Sequence, residues 1–114
     1  EESPGVLLAQ LLIESGTPVT VYDPAANETA RLVLGDRVRY ATTMAECIAG
    51  SDVLVITQPW AEFKALTPIE VARPNSPRVI LDCWRILDAE GFSPVVDLVL
   101  IGQYQAVREL HRGD

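Results

Sequence analysis

The 114-residue chain has the length and composition of one compact globular domain, with 48% hydrophobic and 22% charged residues. Its 16 acidic and 9 basic side chains give a formal net charge of -7, and a field of that sign repels phosphate backbones and anionic membrane surfaces. We therefore expect no nucleic-acid partner and no membrane partner. No apolar run approaches the roughly 20 residues that cross a bilayer, and the first residues lack the layout of a secretory signal, so the expected location is cytoplasmic.

The two cysteines, Cys47 and Cys83, stand in neither a CxxC nor a metal-ligand spacing. We predict that both are packed thiols, and that neither forms a disulfide or acts as a nucleophile. No metal site is expected.

The first half of the chain alternates helical and extended patterns. Ser3 and Pro4 are typical of a helix start, and Gly16 is placed to end that helix. Apolar residues lie on nearly every side of it, which predicts a helix pressed into the body of the domain. Thr43 and Glu46 have the spacing of a capping box. The predicted elements are a helix over 4–15, a strand over 19–22, a helix over 26–34, a strand over 38–40 and a short helix over 44–50.

The second half continues the alternation. Val53–Ile56 is a continuous apolar run, as in a strand buried on both faces. The spacing of three between Trp60, Phe63 and Leu66 fits one face of a short helix. The predicted elements are a strand over 53–56, a helix over 60–66 that either continues over 69–72 or is followed by a second turn there, a loop over 73–77, a strand over 79–81, a break at Gly91 and a strand over 95–101.

Helices that alternate with short apolar strands indicate parallel strands joined by crossovers. The predicted class is α/β, a Rossmann-like, doubly wound and mostly parallel sheet in three α/β/α layers. Such a unit begins with a strand that becomes central in the sheet, whereas this sequence begins with the helix that would follow it. We therefore expect a gap between the first two strands and the last three, and a longer parent chain. The domain is predicted over 1–102, with a polar tail over 103–114.

Polar and aromatic residues follow the strand 53–56, at the edge where an open α/β sheet binds its ligands. Thr57 either contacts a ligand or caps the next helix, and Gln58 lies beside it. Trp60 either lines the ligand site or packs with Phe63, and its spacing favours packing.

Asp23 follows the strand 19–22 in the way that a ribose-binding acid follows the second strand of a dinucleotide site. No GxGxxG occurs in the chain. A turn or capping role for Asp23 is therefore favoured over ribose binding.

Four segments together carry a resemblance to a known family. They are Glu2-Ser3-Pro4, the Tyr22-Asp23-Pro24 turn, Thr57-x-x-Trp60-x-x-Phe63, and a segment over 82–87 that is similar to a D-G-R-x-x-L stretch. In this order and spacing the chain resembles, from Glu2 to about Gly102, the C-terminal domain of the UDP-glucose/GDP-mannose dehydrogenase family.

The resemblance implies the nucleotide-sugar-binding part of an NAD-dependent 6-dehydrogenase, which oxidises the C6 alcohol of a UDP-sugar or GDP-sugar to a carboxylate. It implies that NAD is bound mainly by an N-terminal domain of the same parent chain and that the parent is a homodimer. The family's catalytic cysteine, lysine and asparagine lie outside the C-terminal domain. Neither Cys47 nor Cys83 is therefore expected to be catalytic, and the isolated chain is expected to be inactive.

The segment after the fourth predicted strand departs from the family pattern, because Asp82, Cys83 and Trp84 stand where the family has D-G-R. Arg85, one place later, either takes over the anion contact or pairs with Asp82 or Asp88. Trp84 offers a ring that can stack on a base, and Cys83 replaces a glycine at a turn expected to need a positive φ. The predicted substrate-binding residues are Asp82, Trp84 and Arg85 with Thr57, Gln58 and Trp60.

A second interpretation assigns the chain to another class of protein. Glu1 stands where the family commonly has an arginine that reaches toward the cofactor. Together with Cys83 and Trp84, this change could leave a degraded nucleotide pocket. The alternative is therefore a non-catalytic α/β interaction or oligomerisation domain.

Overall fold

The computed structural model describes residues 4–25 and 28–101, so the predicted tail over 103–114 lies outside the described residues. Helices and short parallel strands alternate, which confirms the predicted Rossmann-like α/β class. In the described residues, no helix is long and apolar enough to cross a membrane. The elements are α1 (Pro4–Glu14), β1 (Thr20–Val21), α2 (Glu28–Leu34), β2 (Arg39–Tyr40), α3 (Met44–Ala49), β3 (Val53–Ile56), α4 (Ala61–Lys64), α5 (Pro68–Val71), β4 (Val79–Asp82), α6 (Ala89–Phe92) and β5 (Asp97–Leu100).

The chain divides after Ser51 into two compact units. Unit 1 contains β1 and β2, which pair in parallel with Thr20 opposite Arg39. Unit 2 contains a three-stranded parallel sheet in the order β3-β4-β5. Among the residues with assigned structure, no strand of one sheet pairs with a strand of the other. The first two strands and the last three therefore belong to separate sheets, as the sequence predicts.

The core of unit 1 joins α1 and α2 to the two-stranded sheet. Gly16 and Gly35 follow the two helices with φ of 86° and 58°, a left-handed conformation that glycine adopts without a Cβ clash. Both predicted helix ends are thereby confirmed. The buried residues are Ala9, Ala30, Leu34 and Val38, with Val6, Ile13, Val19, Val21, Val33 and Tyr40 packed against them.

Helix α1 is more exposed than its sequence predicts. Ala9 is its buried residue, whereas 47% of Leu7 and 64% of Leu11 remain exposed. The prediction of a helix enclosed on nearly every side is wrong for this unit as described. When apolar residues occur on nearly every side of a helix, no polar stripe marks the face that lies in solvent. The sequence therefore does not specify which face of the helix is buried.

The core of unit 2 is centred on β4, the middle strand of its sheet. Ile80 in that strand is fully buried. The buried guanidinium of Arg78 donates from Nη1 to the carbonyl oxygen of Val71 at 2.8 Å, which ties the end of α5 to the start of β4. The buried apolar residues are Ile56, Val71, Ile80, Leu87, Phe92 and Val96.

Strand β3 has the composition of a central strand and the position of an edge strand. It pairs with β4 alone among the described residues, although all four of its residues are apolar. The N–H of Cys83 donates to the carbonyl of Ile56. Because alternate peptide groups of a strand face opposite neighbours, those of Val53 and Val55 point away from β4. An unpaired edge without a proline or a charged residue is open to another strand.

Two threonine–glutamate caps start α3 and α5. The predicted cap at α3 is confirmed, because Thr43 Oγ1 accepts from the N–H of Glu46 at 3.1 Å. The Glu46 carboxylate reaches one residue further back, accepting from the N–H and hydroxyl of Thr42 at 2.7 and 2.9 Å. Glu70 likewise accepts from the N–H and hydroxyl of Thr67, both at 2.8 Å. Residues 69–71 therefore belong to a second helix, of which Ala72 is the C-cap, and do not extend the first.

Two predicted boundaries in unit 2 are wrong. Gly91 lies inside the short helix α6 and does not break it, because a single helical turn tolerates one glycine. The last strand starts at Asp97 and not at residue 95, since Val95 and Val96 donate their N–H groups to the carbonyl of Phe92 in the turn that follows α6.

The two caps predict an acid-dependent loss of stability. Hydrogen bonds from the backbone N–H groups of Thr42 and Thr67 hold the pKa of Glu46 and Glu70 below their ordinary value of 4.5. A lowered folded-state pKa stabilises the fold above that value, and the contribution is lost as the pH falls through the lower folded pKa. The double variant E46Q/E70Q should therefore be less stable at about pH 6 and lose less stability down to about pH 3.

Urea unfolding at several pH values measures this effect. Glu90→Gln is the matched control, because it removes the same charge from a first helical turn in which Glu90 makes no cap contact to any described residue. Parallel pH profiles of the wild type and the double variant would contradict the prediction.

Candidate functional site

The candidate site lies in unit 2, at the carboxyl edge of β3 and β4. Ile56 pairs with Asp82 in the parallel register. The segments 57–60 and 83–85 therefore leave the sheet at the same edge, where open α/β sheets bind ligands. The structure thus brings together five of the six predicted substrate-binding residues in these two segments, and the sixth, Asp82, is the last residue of β4 at the same edge.

Asp82 holds the turn that follows β4. Its side chain is fully buried, and its two carboxylate oxygens accept from the N–H of Trp84 at 3.2 Å and of Leu87 at 3.0 Å. A buried carboxylate needs such donors, because burial without them costs several kcal/mol, of order 2–7 even for a neutral polar group. Asp82 therefore shapes the site from inside the turn.

Trp84 ties the turn to the neighbouring strand. Its indole Nε1–H donates to the carbonyl oxygen of Thr57 at 2.8 Å, across 27 residues of sequence. Half of the side chain, 51%, remains exposed. The ring is thus fixed at its polar end and open to solvent over the rest.

Arg85 has an unusual backbone. Its φ is 52°, and it is the one residue other than glycine with a positive φ in the described ranges. The positive φ expected at Cys83 therefore occurs two residues later, which corrects that prediction. The side chain is exposed and forms no ion pair with Asp82 or Asp88, both of which are described. The predicted salt bridge is therefore wrong, because Asp82 is occupied by backbone donors.

The residues after β3 are partly open to solvent. Thr57 and Gln58 are half-buried. Thr57 does not cap the next helix, because the N-cap of α4 is Trp60, whose carbonyl oxygen accepts from the N–H groups of Phe63 and Lys64. Trp60 is 41% exposed, which leaves a large part of its ring available outside the packing role.

The two cysteines are free thiols, and both are half-buried. Burial raises the pKa of Cys47, and burial together with the negative charge of Asp82 raises the pKa of Cys83. Both groups are therefore held in the thiol form, which is a poor nucleophile. No cluster of metal-ligating side chains occurs in the described residues.

Unit 1 carries a cleft at the carboxyl ends of β1 and β2, with a volume of about 300 Å³. Asp23 lies in its wall and accepts from the N–H of Ala25 at 2.8 Å, which confirms the predicted turn role. The guanidinium of Arg31 stands 4.1 Å from the centre of the Tyr40 ring in the same wall. No sequence signal indicates this cation–π pair, since its members lie on a helix and a strand.

Comparison with known proteins identifies the family. The model of the UDP-glucose/GDP-mannose dehydrogenase family, UDP binding domain, matches residues 1–89. The chain therefore belongs to that family, and the resemblance drawn from the four sequence segments is confirmed.

Individual relatives agree with this assignment. The chain is 37% identical over 86 residues to UDP-glucose 6-dehydrogenase AglM of Haloferax volcanii, covering 75% of this chain and 19% of that protein. It is 35% identical over 63 residues to UDP-glucose 6-dehydrogenase YwqF of Bacillus subtilis, covering 55% and 14%. The solved structure of a UDP-glucose dehydrogenase from the hyperthermophilic archaeon Pyrobaculum islandicum superposes with a TM-score of 0.62 at 27% identity, covering 86% and 20%. The chain thus spans a fifth or less of the length of these relatives.

The role of Asp82 can be tested by Asp82→Asn. The amide keeps one acceptor oxygen and places an NH2 group against the second backbone N–H, so one buried donor loses its partner. We expect a loss of about 1–3 kcal/mol in the free energy of unfolding, measured by urea denaturation. Asp97→Asn, on an exposed strand residue, is the control and should change stability by less than about 0.5 kcal/mol. Equal losses of stability in the two variants would contradict the role of Asp82 in holding the turn.

The backbone of Arg85 makes a separate prediction. Arg85→Gly removes the Cβ that disfavours the left-handed conformation, and it should leave the free energy of unfolding unchanged or raise it by about 1 kcal/mol. Arg85→Ala keeps the Cβ and should give no such gain. Urea denaturation of the two variants compares them directly, and a glycine variant less stable than the alanine variant would show that φ at this position is not strained.

Proposed function

We propose that the chain is the nucleotide-sugar-binding domain of an NAD-dependent 6-dehydrogenase, which oxidises the C6 alcohol of a UDP-sugar or GDP-sugar to a carboxylate. Membership of the family and the position of the site at the carboxyl edge of β3 and β4 support this proposal. On this proposal the domain covers residues 1–102 with a polar tail over 103–114. The parent enzyme is a cytoplasmic homodimer whose N-terminal domain binds NAD and contains the catalytic residues.

The observation that carries the proposal is the presentation of Arg85. The turn held by Asp82 exposes this guanidinium at the ligand-binding edge of the sheet, and no described carboxylate pairs with it. A guanidinium forms two parallel hydrogen bonds with phosphate oxygens. Arg85 is therefore the residue that would bind the diphosphate of the nucleotide.

The other predicted site residues complete the binding wall. Thr57 and Gln58 supply polar side chains at the end of β3, where they are placed to donate to ribose or sugar hydroxyls. Trp84 and Trp60 supply exposed ring surface at the same edge. Asp82 acts through the turn, as a positioning residue, because its oxygens are already occupied.

The chain offers no fit for NAD itself. A dinucleotide site uses a glycine-rich turn that lets the backbone approach the pyrophosphate, and no GxGxxG occurs in the sequence. The raised pKa of Cys83 also argues against a nucleophile at this edge. We therefore assign NAD and the oxidation steps to the rest of the parent, where two NAD+ in turn would accept the two hydrides removed from C6 and water would supply the second carboxylate oxygen. This chain binds and orients the nucleotide.

Calorimetric titration of the 114-residue chain with UDP, UDP-glucose and GDP tests the proposal. Arg85→Ala should weaken binding at least about ten-fold, since a hydrogen bond to a charged group contributes about 1.5–3 kcal/mol. Arg73→Ala is the matched control, because Arg73 pairs with Asp52 at 2.8 Å beside the amino end of β3. It removes the same charge from the opposite edge of the sheet and should leave the affinity within about two-fold.

Absence of binding at millimolar concentrations of all three nucleotides would overturn the proposal for this chain. The interaction-domain interpretation would then take its place. Equal losses in Arg85→Ala and Arg73→Ala would show that net charge, and not a site at Arg85, governs the affinity.

A further inference from the structure

We propose that Trp84 is the stacking wall for the nucleobase of the ligand, at the position where the family pattern has an arginine. This inference rests on the proposed function, because it assigns a part of the nucleotide to a part of the same site. It predicts that the site recognises a base through its flat face and tolerates more than one base.

The orientation of the Trp84 ring supports this role. A stacking wall must hold its ring in one place before the ligand arrives, since ordering a free side chain on binding costs about 0.5–1.5 kcal/mol. The hydrogen bond from Nε1 to the Thr57 carbonyl, at 2.8 Å, fixes one edge of the indole. The N–H of Trp84 is also bonded to Asp82. Main chain and side chain are therefore both restrained, while 51% of the residue is exposed.

The exposed part of the ring has no polar group left to satisfy. The indole has a single N–H donor, and that donor is already bonded to Thr57. The part of the ring that remains in solvent is apolar π surface, and covering it with another flat ring is energetically favourable. A base is a ligand group that presents such a ring without requiring a hydrogen bond in return.

The neighbouring residue supplies the second part of the same ligand. The Cα atoms of Trp84 and Arg85 are separated by one peptide unit, about 3.8 Å, and both side chains are long. A nucleoside diphosphate likewise carries a flat ring at one end and a diphosphate beyond the ribose. The order ring then guanidinium along the turn therefore matches the order base then diphosphate along the ligand.

Stacking also has a consequence for specificity. Every base has a π face, so a stacking contact is tolerant of base identity. Uridine and guanosine should therefore both bind through Trp84, without any phosphate. Discrimination between UDP-sugars and GDP-sugars would then depend on hydrogen bonds from other residues and not on this wall.

Tryptophan fluorescence provides a direct test, because the chain contains only Trp60 and Trp84. Trp60→Phe leaves Trp84 as the single fluorophore. In the 114-residue Trp60→Phe chain, saturating uridine and guanosine should each quench the emission, whereas ribose 5-phosphate, which has the anion without the base, should not. Calorimetry with UDP on the same variant gives the concentrations at which the site is filled.

Three substitutions separate base stacking on Trp84 from the phosphate contact of Arg85. Trp84→Leu should weaken uridine binding about ten-fold, which corresponds to about 1.4 kcal/mol and lies within the range for one stacked base. Trp84→Phe keeps an aromatic face and loses the Nε1 donor, so its affinity should fall between those of the wild type and the leucine variant. Arg85→Ala should weaken UDP binding and leave uridine binding unchanged.

The outcomes distinguish this inference from the proposed function. If UDP binds by calorimetry but neither nucleoside changes the Trp84 emission, the stacking wall is refuted and the proposed function stands. If UDP and the nucleosides all fail to bind both the wild-type chain and the Trp60→Phe chain at millimolar concentration, both are refuted. If ribose 5-phosphate quenches as strongly as uridine, the emission reports a movement of the turn, and the stacking assignment is overturned.

Discussion

The carboxylate of Asp82 forms the interaction on which the candidate site at the carboxyl edge of unit 2 depends. It is fully buried at the end of the middle strand, and it accepts from two backbone N–H groups, those of Trp84 and Leu87. A buried carboxylate without donors would be strongly unfavourable, so the turn and the acid are stable only together. The aspartate fixes the path of the chain over 83–87, and this path places the next two side chains at the edge of the sheet.

Two further features follow from that path. The indole of Trp84 reaches the carbonyl of Thr57 and links the turn to β3, so the edge is joined across two strands and not built from one loop alone. Arg85 is left in the left-handed region, where a side chain with a Cβ costs on the order of 1–3 kcal/mol. Glycine would suit the backbone better at this position. An arginine at this strained position is consistent with a guanidinium that contributes to binding more than it does to stability.

Sequence reasoning predicted the element types and the shared edge because these depend on local chemistry. The apolar runs 53–56 and 79–81, each followed by polar residues, specify parallel strands and their carboxyl ends. It failed where the outcome depends on contacts between distant residues. The apolar residues of α1 do not indicate which of its faces is buried. The hydrogen bond from Trp84 to Thr57 joins residues 27 positions apart in the sequence, so no local pattern predicts it. The pairing of Asp82 with Arg85 was predicted wrongly for the same reason. An aspartate after a strand can bind a guanidinium or cap a turn, and only the geometry of the turn decides which.

The net charge of -7 opposes the binding of the diphosphate that we propose as part of the ligand. The distance between each acidic side chain and the bound anion decides how strongly the two repel each other. Charges separated by more than about 8 Å are largely screened at physiological salt, so most of the acidic side chains slow the approach of an anion without opposing it once bound. A guanidinium at about 4 Å from a phosphate gains on the order of 4 kcal/mol near a protein surface. One well-presented arginine therefore outweighs the distant acids. A tryptophan beside it adds a contact that does not depend on charge. In an acidic domain this is an advantage over a second arginine, because neighbouring carboxylates would compete with the ligand for that arginine.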